Sequence, residues 1–60
     1  MNTVSKTWIN TNCACLCNTA IELMAMINKV QLNEVEAQKL INRMQSIVED
    51  IQIDFDNLNN

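Results

Sequence analysis

An all-α fold, an antiparallel two-helix hairpin of coiled-coil type, is predicted by three observations. Apolar residues recur in alternating steps of four and three through each half of the chain, the spacing that left-handed helix-on-helix packing requires. The only clear helix-start signal away from the ends is at Asn33, near the midpoint. No Gly or Pro occurs anywhere in the 60 residues, so nothing breaks either half from within.

Helix 1 is predicted over about residues 7–30. Its seam runs Ile9, Cys13, Leu16, Ala20, Leu23, Ile27 and Val30. The cluster Asn10-Thr11-Asn12 is the one piece of polar punctuation near its start, as Asn57 to Asn60 is at the other end of the chain. The turn falls at about 31–33. Asn33 followed by Glu36 fits a capping-box variant, in which Asn33 accepts from a first-turn amide and Glu36 reaches back. Glu34 and Glu36 place negative charge where the helix dipole favours it.

Helix 2 is predicted over about 34–58, with the seam Ala37, Ile41, Met44, Val48, Ile51, Phe55 and Leu58. The alternation in Ile51-Gln52-Ile53-Asp54-Phe55 is that of a strand. A single five-residue strand has nothing to pair with, so the helical reading prevails. Reversing the chain at 31–33 pairs Val30 with Ala37, Ile27 with Ile41, Leu23 with Met44, Ala20 with Val48, Leu16 with Ile51, Cys13 with Phe55 and Ile9 with Leu58. Several of these pairs set a small residue against a large one, as interdigitating layers require. Residues 1–60 thus read as a single helical hairpin domain.

A two-helix seam is a thin core for a chain of this size. The first helix is apolar well beyond its seam, and Glu22 is the only charge between Thr7 and Asn28. Cys17, Ile21, Met24 and Met26 on helix 1, with Leu40 and Ile47 on helix 2, form the surplus apolar surface that another chain should cover. The expectation is a homodimer closing into a four-helix bundle. Another protein partner could occupy the same surface.

The composition excludes much chemistry. His is absent, removing the commonest general base and metal ligand. A net charge of −3 and a pI near 4.4 oppose nucleic-acid binding. No run reaches the ~18–20 apolar residues of a membrane span, and no signal-peptide core is evident. Cys13, Cys15 and Cys17 invite a metal, but a zinc site wants four ligands and no fourth Cys exists. Packing residues carrying reduced thiols, in a cytoplasmic protein, are the simpler reading. A catalytic cysteine would need a nearby base or cation; Glu49-Asp50 and Asp54-x-Asp56 diverge around a helix and make no acid–base couple. Asp54-x-Asp56-Asn57 opens like a calcium loop, but only seven residues remain from Asp54, against the 12 such a loop needs.

These observations predict a small non-enzymatic interaction protein without cofactor: a regulator, inhibitor or adaptor working through protein–protein contacts. A structural subunit of a larger helical assembly is the alternative, and a cysteine-based metal binder a more distant one.

Overall fold

A computed structural model describes residues 3–58. It contains two α-helices, α1 (Thr3–Ile27) and α2 (Glu34–Asn57), packed side by side. The last two residues of the Asn57 to Asn60 cluster lie outside the described part.

Helix α1 begins earlier than predicted and runs straight through Asn10-Thr11-Asn12. Thr residues disfavour helices partly because their hydroxyls compete for backbone partners. Here each hydroxyl takes the carbonyl one turn back: Thr7 Oγ1 donates to Thr3 O (3.1 Å), Thr11 Oγ1 to Thr7 O (3.0 Å) and Thr19 Oγ1 to Cys15 O (2.8 Å). The polar cluster therefore interrupts nothing. At the other end α1 stops at Ile27, three residues short of the predicted end. Asn28 turns both its backbone N–H and its side-chain Nδ2 onto Met24 O, at 3.2 and 2.9 Å. Lys29 N follows with a bond to Met26 O, three residues back, at 3.2 Å. Val30, predicted to close the seam, is fully exposed in the loop.

That loop occupies 28–33 and contains no residue with positive φ, which is why it forms without glycine. It delivers the chain to Asn33, which is extended (φ −88°, ψ 98°) and caps α2 as predicted: its Oδ1 accepts from Glu36 N at 3.1 Å. The reciprocal half of the capping box is replaced. The Glu36 carboxylate instead receives Lys39 Nζ at 3.2 Å, an exposed pair one turn further along. Surface pairs of this kind contribute little.

The helices meet along stripes rotated from the predicted seams. On α1 the buried and half-buried residues are Ser5, Ile9, Asn12, Leu16, Thr19, Ala20, Leu23 and Met26. On α2 they are Ala37, Leu40, Met44, Ile47, Ile51, Asp54 and, just past its end, Leu58. One column of each predicted seam survives: Ile9, Leu16 and Leu23 on α1, and Ala37, Met44, Ile51 and Leu58 on α2. The other columns give way. Cys13 and Ile27 are exposed, and their place is taken by Asn12, Thr19 and Met26. Ile41, Val48 and Phe55 yield to Leu40, Ile47 and Asp54.

The physical reason lies in the size of the contact residues. Ser5, Thr19 and Ala37 are among the most buried side chains described, and all are short. Short side chains let two helix backbones approach closely. Thr19 can be buried because its hydroxyl is satisfied within its own helix.

Two clefts show which residues of the helices lie together: Leu16 and Leu23 with Ile41, Met44 and Val48 in one, and Trp8 and Asn12 with Asp50, Ile53 and Asp54 in the other. Leu23 and Met44, neighbours in the predicted register, line the same groove, where Leu16 lies with Val48.

The hairpin is one layer thick, with extents of 47 × 15 × 9 Å. Its radius of gyration is 14.1 Å, against about 10 Å for a globular chain of this length. A closed core is therefore absent from the single chain: Ala37 and Leu40 are its buried apolar residues among those described.

Candidate interaction surface

Rotation of the contact stripes has one large consequence: the apolar columns displaced from the seam come to lie together. On α1, Cys13, Ala20 and Ile27 form the column next to Ile9, Leu16 and Leu23, and Cys17 with Met24 form the next one round. On α2, Ile41, Val48 and Phe55 form the column next to Met44 and Ile51. An open groove of about 710 Å³ between the helices is lined by Leu16, Leu23, Ile41, Met44, Gln45, Val48 and Glu49. The groove fixes which side of the hairpin these columns share. Ile41 is 37% exposed, Val48 51% and Phe55 55%, although each sits at a position suited to a core.

The two broad faces of the hairpin thus differ in chemistry. The groove face carries Cys13, Cys17, Met24, Ile27, Ile41, Val48 and Phe55 with the half-buried Ala20, and Gln45 and Glu49 along its α2 rim, with Lys6 on the α1 column of Met24. The opposite face carries Glu22, Lys29, Glu36, Arg43 and Asp50. A smaller cleft of about 280 Å³ lies there among Trp8, Asn12, Asp50, Ile53 and Asp54. Its mixed lining suits solvent, whereas the groove face exposes contiguous hydrocarbon.

The six surface residues expected from sequence fall in three places. Cys17 and Met24 stand exposed on the groove face, and Ile21 is exposed on the back of α1, away from α2. Met26 and Ile47 are half-buried, and Leu40 buried, in the contact between the two helices. Leu40 and Ile47 are therefore committed within the hairpin, because α2 turns that edge toward α1. The residues of the groove face missed by the expectation are Ile41, Val48, Phe55, Cys13 and Ile27, all assigned to the internal seam. A signal for them existed in α2. Its apolar stripe is three columns wide, and a single neighbouring helix covers about two.

The three cysteines are free thiols and exposed. Cys13 does not pack on Phe55 as the predicted seam required; both belong to the uncovered face. Cys15 lies on the other edge of α1, beside the column of Trp8 and Glu22. Among the described residues no group of three or more His, Cys, Asp or Glu side chains converges on a point that could hold a metal ion. The carboxylates crowd the open end of the hairpin along α2, where Asp50 and Asp54 line the small cleft with Trp8, Asn12 and Ile53. Among the described residues no helix is long and apolar enough to cross a membrane. What the arrangement can do chemically is bury hydrocarbon against another surface.

No family model matches the chain, and comparison with curated proteins and with solved structures finds no match either.

Proposed function

We propose that this chain is a non-enzymatic interaction protein, a regulator, inhibitor or adaptor working through protein–protein contacts, and that two copies close into a four-helix bundle. The observation that carries the reading is the direction of the apolar stripes. In a finished two-helix unit, each stripe would point at the other helix. Here both are turned toward a common line outside the plane of the hairpin, as helices of a bundle point toward its axis. A cytoplasmic location belongs to the same proposal, since three exposed free thiols persist most readily in a reducing compartment.

The test is Val48→Glu. Val48 is half in water in the single hairpin, so a carboxylate there is tolerated by the isolated chain. At the centre of a closed bundle the same charge would be desolvated, at a cost of several kcal/mol. The variant should lower both the apparent mass in light scattering and the melting temperature. An unchanged mass would refute the reading.

A structural subunit of a larger helical array is the second reading, favoured by Val4 and Ile21, which stay exposed on α1 away from the groove. Species that keep growing with concentration, rather than stopping at a dimer, would select it.

A further inference from the structure

We infer that Cys13 and Cys17 are a reversible modification site that governs association. Exchange with a small disulfide of the glutathione class caps these thiols and holds the hairpin as a single chain. This rests on the bundle reading above and adds to it the groups through which the groove face is regulated.

Both side chains are free thiols, exposed on the hairpin. They stand one turn apart on α1, in the two neighbouring columns on the groove side. Between Lys6 and Lys29 the one charged residue is Glu22, which belongs to the opposite face. The groove side of α1 is thus an uncharged strip of Cys13, Cys17, Ala20, Met24 and Ile27. Within that strip, thiol exchange can add charge and remove it again only at the two cysteines. Cys15 is exposed as well, but it lies on the other edge of α1, beside Glu22. The three thiols share exposure and differ in face, so Cys15 serves as an internal control.

In the exchange, a cysteine thiolate attacks one sulfur of glutathione disulfide. The S–S bond of the reagent breaks and a mixed disulfide forms on the protein. The other glutathione leaves as a thiolate and takes up the proton that the cysteine gave away. Dithiothreitol reverses the step by the same chemistry.

The cap is a tripeptide bearing ionised groups. Three residues reach about 10 Å when extended, and the axes of packed helices lie only ~8–10 Å apart. On a face that must close against a second copy, the cap either forces the layers apart or loses its hydration between them. The coupling is reciprocal: association disfavours capping at Cys13 and Cys17 by the same factor as capping disfavours association.

Three full-length variants, each keeping one cysteine and carrying Ser at the other two, separate the sites. Each is capped with excess glutathione disulfide, its loading is checked by intact mass, and its association is read by sedimentation equilibrium before and after. Capping should weaken dimerisation at least about tenfold for the chain that keeps only Cys13 and for the one that keeps only Cys17. The chain that keeps only Cys15 should stay within about twofold, as for other changes on an exposed surface. Dithiothreitol should restore the dimer in each case. The unmodified chain supplies a second measurement that needs no substitution. At a fixed ratio of reduced to oxidised glutathione, the load should fall toward about one cap per chain as protein rises from about 1 μM to about 100 μM, since only Cys15 stays accessible in the dimer. A Cys13-only or Cys17-only chain that is as dimeric capped as uncapped would overturn the modification site and leave the bundle reading standing. So would a Cys15-only chain that dissociates as far, or a load that stays constant while the mass doubles. A monomeric mass for the unmodified chain across that range would overturn the bundle reading, and the site's role with it.

Discussion

Thr19→Leu separates the contact stripe of the structure from the seam read in the sequence, because the two assign the substitution opposite signs. Thr19 is 4% exposed, and its hydroxyl is already satisfied by Cys15 O at 2.8 Å. Leucine there reaches further across the contact and must either force α2 away or adopt a strained rotamer. Overpacking of this kind costs about 1–3 kcal/mol. A 60-residue domain has a total stability of about 3–9 kcal/mol, at 0.05–0.15 kcal/mol per residue. The substitution therefore removes a large share of it. At 4–8 °C per kcal/mol for a domain of this size, the melting temperature should fall by about 5–20 °C. With the 4-3 seam in the core, Thr19 would sit at its edge, where leucine is neutral or stabilising. The assay is thermal unfolding followed by circular dichroism at one fixed protein concentration, since association makes the midpoint concentration-dependent. Asn18→Leu, on the exposed side of α1, is the control and should stay within about 0.5 kcal/mol. An unchanged or raised midpoint for Thr19→Leu would refute the rotated stripe.

Other outcomes follow from the same geometry. Leu40→Ala removes the largest side chain among the buried residues and should cost about 2–5 kcal/mol in chemical denaturation, enough to leave the chain largely unfolded. Asn33→Ala deletes the acceptor for Glu36 N and should cost about 1 kcal/mol, with Asn33→Asp restoring most of it. Lys39→Ala breaks the exposed pair with Glu36 and should change stability by less than about 0.5 kcal/mol by the same measurement.

Much of the fold could be read from residues alone, and the part that could not has a definite physical cause. The 4-3 recurrence and the Asn33 cap located two antiparallel helices and both ends of α2 to within about a residue. The other ends depended on local hydrogen bonds that composition leaves open. Threonine hydroxyls folded back on their own helix carry α1 through Asn10-Thr11-Asn12, and Asn28 closes it by taking Met24 O. The seam itself was misplaced by one column on each helix. Hydrophobicity ranks Ile41, Val48 and Phe55 above Asp54, and Cys13 above Asn12, but a close helix contact rewards short side chains such as Ser5, Thr19 and Ala37. The predicted seam residues were expected to be covered, yet Ile41, Val48 and Phe55 stand exposed on the hairpin. What the sequence does not contain is whether that cover comes from the other helix of the hairpin or from outside it. Leu40 and Ile47 show the converse: they were marked for an external partner and lie inside the hairpin.

The central claim is that the single hairpin is an unfinished layer whose apolar face is closed by association. Sedimentation equilibrium of the unmodified chain, across a dilution series from about 100 μM to 1 μM and paired with circular dichroism at each concentration, tests it most directly. The account predicts a mass of twice 6.9 kDa at the concentrated end, with helical signal and dimer mass lost together on dilution, because the hairpin alone buries too little to stay folded. A chain of monomeric mass that keeps its full helical signal throughout the series would contradict it.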